Sequence, residues 1–301
     1  MQAQGTVRAA GELTPLVRLF RANWRPLTLT YALYNVENLL NLAHPLVLGV
    51  AINGLIRSEY GGLALLVGQH LAHLFVGTAR HLYDTRAFTA IYTDTVTRLV
   101  CRQRDAGVGV STVAARSGLS RELVDFFEHH LKAVFSSIYG VIGALAMLIV
   151  YDRILVLLCG VILAPLVLLS HRLARRSFGV NAALNDQLER EVAVIEDGQT
   201  GPVSDHYRRL ARYQVRLSDL EAWNFLQMEF FVLALIVAAL ARYCARPGVE
   251  AGDIYAVFSY VMMFVGGLDY VPMLIQQLAR LHDIGGRVAL EGGETHQGKP
   301  W

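Results

Sequence analysis

PLTLTYALYNVENLLNLAHPLVLGVAINGLI, residues 26–56, is a single apolar run in which Glu37 is the only Asp, Glu, Lys or Arg. Crossing about 30 Å of hydrocarbon takes about 20 helical residues at about 1.5 Å each. The run is long enough to span a bilayer, and it carries a carboxylate within it.

Working outward, five more runs meet the same requirement, near residues 62–79, 134–150, 154–170, 225–241 and 254–278. The composition agrees. Of 301 residues 54% are hydrophobic and 17% charged, and the mean hydropathy is +0.38, which disfavours a soluble globular domain. A net charge of +2, without a basic patch, excludes a nucleic-acid surface. The expectation is an all-α polytopic membrane protein with six transmembrane helices.

The links between runs alternate between short and long. Residues 57–61, 151–153 and 242–253 are tight, whereas 80–133 and 171–224 leave room for helical extensions and hold most of the arginines, among them Arg98, Arg102, Arg104, Arg172, Arg175, Arg176, Arg209 and Arg216. The positive-inside rule places both long segments and both termini in the cytoplasm of a bacterial inner membrane protein. Residues 87–103 and 175–195 contain no proline and little glycine, so the spans are expected to continue as helices beyond the bilayer. Residues 1–20 then form a cytoplasmic N-terminal segment without signal-peptide character, 21–288 the membrane domain, and 289–301 a disordered tail. Cys101, Cys159 and Cys244 have no metal-ligand or disulfide spacing and read as packing residues. His171 and His206, at cytoplasmic ends, read as solvated or interfacial. Met262 and Met263, with Phe258 and Phe264, read as ordinary helix packing.

Order, spacing and orientation together resemble the six-helix transmembrane domain of ABC exporters. PLVLGVAINGLI (45–56) is similar to the end of that family's first helix. STVAARSGLSRELVDFFEHH (111–130), with Arg116, resembles the segment closing its first intracellular loop. LEREVAVIEDGQTG (188–201) resembles the helix descending to the second loop, and GDIYAVFSYVMMFVGGLDYVPMLIQQLARLHDIGGRV (252–288) the sixth helix and its exit. The resemblance implies a domain-swapped homodimer around a central cavity. No GxxxxGK[ST] phosphate loop occurs, so no enzyme activity, cofactor or metal is expected of the chain, and any ATPase would be a separate subunit. The loops DAGVGV (105–110) and GPVSDHYRRLARYQ (201–214) look shorter than the family's docking loops.

Polar residues inside the spans form stripes. Tyr34, Glu37, Asn38, Asn41 and His44 lie within an arc of about 120° on a helix of about 100° per residue. Gln69, His70, His73, Arg80, His81 and Asp84 form a second stripe, and Asp269, Tyr270, Gln276, Gln277 and Arg280 a third. Such groups either hydrogen-bond between helices to hold a bundle together or line a water-filled cavity. Two carboxylates, Glu37 and Asp269, are the candidates for proton coupling. Tyr34, Asn38, Asn41, His44, Gln69, His70, His73, Tyr270, Gln276 and Gln277 are the candidates for a substrate cavity. Three functions follow: a proton-coupled transporter of an amphipathic small molecule or peptide, the membrane subunit of a transporter driven by a separate ATPase chain, or a non-transporting receptor or scaffold.

Overall fold

A computed structural model describes residues 19–268, apart from the side chains at 115, 116, 119, 120, 122, 123, 193 and 197. Among the described residues there is no strand. The helices are α1 (Trp24–Ile56), α2 (Gly61–Asp105), α3 (Val110–Asp125), α4 (Leu131–Ile138), α5 (Ala144–Tyr151), α6 (Arg153–Glu189), α7 (Glu191–Asp197), α8 (Thr200–Cys244) and α9 (Ala251–Leu268). Two π-helical turns, Phe126–His130 and Tyr139–Gly143, join α3 to α4 and α4 to α5.

Six helical segments are long and apolar enough to cross a membrane, as the sequence predicts. The chain is an all-α polytopic membrane protein. Helices α2 and α8 have 45 residues each, about 68 Å at 1.5 Å per residue, so they overrun the hydrocarbon by more than its own thickness. The extensions are helical as their composition predicts. The termini and the Asp269, Tyr270, Gln276, Gln277 and Arg280 stripe lie outside the described residues, as does the Arg116 side chain.

The turns show why the helices stop where they do. After α1, Ser58 takes a left-handed φ of 61°, Glu59 N–H donates to Gly54 O at 2.8 Å and Ser58 N–H to Leu55 O at 3.1 Å. After α2, Gly107 (φ 72°) does the same, with Val108 N–H to Gln103 O and Gly107 N–H to Arg104 O, both at 3.0 Å. Both are Schellman terminations, in which two otherwise unpaired carbonyls are satisfied by the reversed chain. The short DAGVGV link is such a stop followed by a restart at Val110. The second link differs from its expected form. Residues 201–214 are the first turns of α8 and not a loop, and the reversal is confined to Gly198 (φ 63°) and Gln199. Pro202 does not prevent this, because the third residue of a helix has no intrahelical N–H bond to lose.

The structure divides into two compact units, with the boundary inside α5: residues up to Met147 together with those from Glu250 onward, and Leu148–Val249. In the first, α1 and α2 run antiparallel, with Gly62 against Val50 and Ala51 at one end. Leu27, Tyr31, Phe88, Ile91, Val124 and Phe127 form an apolar core at the other. Helix α9 crosses α1 at Gly49 and Gly252 and the second π turn at Gly140 and Gly267. A Cβ on Gly252 would overlap Gly49 O, and one on Gly267 would lie 2.8 Å from Gly140 C. Small residues at crossings let backbones approach, the usual way helices associate in lipid. Phe264 is fully buried there, while Phe258 and Met262 remain exposed.

The second unit is a two-helix ribbon. Asp152 pairs with Arg242 at 3.2 Å, and Gln187 with His206 at 2.7 Å, so α6 and α8 are antiparallel along their whole length. Leu155, Cys159, Leu166 and Leu169 of α6, three, four or seven apart, and Val232, Leu235 and Ala239 of α8, three or four apart, are the buried residues of the seam, with Leu210 buried further along α8. His206 belongs to this seam at 3% exposure. The expectation of a solvated ring fails there because residues 200–210 are helical and turn it onto α6. His171 is exposed as expected. Of the cysteines only Cys159 packs inside; Cys101 and Cys244 are exposed.

Candidate functional site

Glu37 lies mid-way along α1, and the antiparallel turn at residues 57–60 brings Arg80 of α2 opposite it. Arg80 donates through Nε to Glu37 Oε2 and through Nη2 to Oε1 at 3.4 Å. Its Nη1 donates to Asp84 Oδ2 at 2.9 Å, one turn further along α2. Lys132, two residues past the first π turn, donates to the same Oδ2 at 2.6 Å. The side chains of Glu37, Arg80, Asp84 and Lys132 are 15%, 18%, 5% and 15% exposed. Two carboxylates and two cations therefore balance to zero charge, the condition under which ions persist in low dielectric.

Aromatic rings enclose the cluster. The Arg80 guanidinium lies 5.4 Å from the centre of the Tyr34 ring and Lys132 Nζ 5.1 Å from that of Phe88. The Tyr34 and Ser136 hydroxyls meet at 2.5 Å, and Tyr31 donates to Phe127 O at 2.7 Å. Gly77 leaves the space that the Glu37 carboxylate occupies, since a Cβ there would stand 3.2 Å from Oε1. The arrangement ties three helices by charge, and Arg80 is bonded to both acids at once. Asp84 Oδ1 is buried with no protein partner among the described residues.

A second polar level lies seven residues along α1, about 10 Å away. His44 Nδ1 meets Gln69 Oε1 at 3.1 Å, and Gln69 Nε2 donates to Leu40 O at 2.9 Å. Beside it His44 and His70, with Leu48, Leu66, Val67 and Leu71, line a groove of about 420 Å³. His73 is half-buried, and its Nε2 has no partner among the described residues. Asn38 donates to Tyr34 O within its own helix, and Asn41 is exposed. The first and second stripes thus face each other at two separate levels: Glu37 and Tyr34 meet Arg80 at one and His44 meets Gln69 at the other, while Asn41 and His70 are exposed.

Sequence reading passed over Lys132 and Ser136, which precede or open the third apolar run, and Asn35, which accepts from Tyr139 at 2.9 Å. The available signal was Arg80 and Asp84 at i,i+4 directly after the apolar run of α2, a pair that invites further charges nearby. Elsewhere, Asp125, Glu128 and His129 bring ligand atoms within 4.8 Å of one another, but Asp125 and His129 are already an exposed i,i+4 pair at 3.2 Å.

A search of curated proteins finds no match. A family profile described as ABC transporter transmembrane region matches residues 16–252, taking in the first five spans and the cluster between them. With six apolar helices, three of them carried far beyond the bilayer, and a profile match over most of its length, the chain belongs to the ABC transporter transmembrane-region family.

Proposed function

We propose that the chain is the membrane-spanning part of a transporter and moves an amphipathic small molecule or short peptide by alternating access, working as a homodimer in a bacterial inner membrane with both termini cytoplasmic. The family supports a transporter component. The observation that carries the reading further is the charge-balanced cluster of Glu37, Arg80, Asp84 and Lys132, at the point where the second and third apolar runs pass into their long connecting segment. A bundle needing only stability is served as well by apolar contacts, because a buried ion pair contributes little net stability relative to a well-packed apolar substitute. The His44 and His70 groove, largely apolar with two imidazoles, suits an amphipathic solute better than a bare ion.

Proton coupling through Glu37, with Asp269 as the second carboxylate, requires Arg80 to release Glu37 and stay with Asp84. Energisation by a separate ATPase chain is the second reading, favoured by the family itself. Proteoliposomes decide between them. An imposed pH gradient without ATP should drive uptake of an amphipathic dye, and Glu37→Gln should abolish it while the dimer survives. Uptake that needs an added ATPase and ATP, and ignores the gradient, would replace the first energy source with the second. Absence of movement under both conditions, with binding retained, would leave a receptor.

A further inference from the structure

The ribbon of α6 and α8 carries a second polar site, far from the charge cluster in sequence. Where the apolar part of α6 ends at Ser170 and that of α8 begins near Phe225, the two helices flank a cleft of about 190 Å³. Arg172 and Arg176, one turn apart, form one wall; Trp223, Asn224 and Gln227 form the other, over a floor that includes Leu169 and Leu220. Both arginines are exposed, and neither has an ion-pair or hydrogen-bond partner in the described part of the chain.

We propose that this cleft binds the phosphate of an anionic phospholipid headgroup. Three observations point the same way. The position is the boundary between apolar span and arginine-rich extension, the depth at which headgroup phosphates lie. Trp223, 65% exposed, is the residue type that settles at that depth, its ring against the glycerol region and its N–H toward water. Two arginines at i,i+4 share one face of α6, and a guanidinium can match phosphate oxygens bidentately where lysine offers only a point charge. Size narrows the choice: drug-sized ligands occupy roughly 300–1,000 Å³, so about 190 Å³ admits a headgroup and excludes a nucleotide or a whole organic solute. The acyl chains would lie along the exposed apolar face formed by Val167, Leu168 and Phe230.

The test is native mass spectrometry of the purified full chain in detergent, titrated in parallel with phosphatidylglycerol and phosphatidylcholine. The R172Q/R176Q variant should lose phosphatidylglycerol binding about tenfold, with phosphatidylcholine unchanged. R209Q/R212Q removes the same charge from α8 outside the cleft and should change binding less than about twofold. R172K/R176K keeps the charge without the fork and should fall between; it also keeps the test valid if the glutamine variant misfolds. Equal losses in the two glutamine pairs would mean diffuse attraction to basic residues and overturn the site. So would unchanged binding in R172Q/R176Q, or full displacement of lipid by millimolar inorganic phosphate, which would make the ligand a free anion.

Discussion

The two units solve the same problem by different means. Apolar side chains gain little by leaving lipid for each other, so helices in a bilayer associate through close packing and hydrogen bonds. The first unit uses both in strong form: a four-member buried charge cluster, and backbone crossings at Gly49 with Gly252 and Gly140 with Gly267. The second unit uses an apolar seam with polar clasps near its ends, among them Asp152 with Arg242 and Gln187 with His206. Its outer faces keep Leu157, Val161, Phe225 and Phe230 exposed. Specificity is built into the first unit residue by residue. The second is a ribbon whose two broad apolar faces are left for lipid or for other protein.

The sharpest way to break the comparison is to remove the shared cation. Arg80→Met leaves Glu37 without its partner in low dielectric and should destabilise the chain by about 3–5 kcal/mol. The Glu37→Gln/Arg80→Met double variant should recover most of that loss. Thermal unfolding in detergent reads both, and additive losses would show that the two residues do not act as a pair.

Next in size is Gly252→Ala, which places a Cβ into the α1 backbone and should cost about 1–3 kcal/mol through overpacking. Asn53, which accepts from Gly252 N–H at 2.7 Å, would lose its bond as α9 moves away. The matching change in the second unit has the opposite sign. A Cβ added to Gly160 of α6 would meet nothing within 4 Å, so Gly160→Ala should stabilise by about 0.5–1 kcal/mol through helix propensity. If both alanines destabilise equally, the ribbon is packed as tightly as the first unit and the contrast fails.

The smallest effect belongs to the turn after α1. A left-handed residue with a Cβ costs about 1–2 kcal/mol, and glycine's greater freedom when unfolded returns about 0.5–1 kcal/mol of that. Ser58→Gly should therefore raise stability by about 0.5 kcal/mol, measurable as a small upward shift in Tm. A decrease would show that the Ser58 hydroxyl has a role beyond the turn.

Much of this was legible along the chain, and some was not. Six apolar runs, the helical extensions of 87–103 and 175–195, and the placement of Glu37 on a polar face follow from run length, composition and period, which are properties of one segment at a time. Only the tertiary structure decided that Glu37 meets Arg80, 43 residues away, that Lys132 completes the cluster, that His206 is buried, and that Gly49 and Gly252 touch. A stripe at 100° per residue says which face of a helix is polar. Which helix lies against that face depends on rotation and register about each axis, and those are set by backbone approach at glycines and by the balance of buried charge, neither of which any single segment contains.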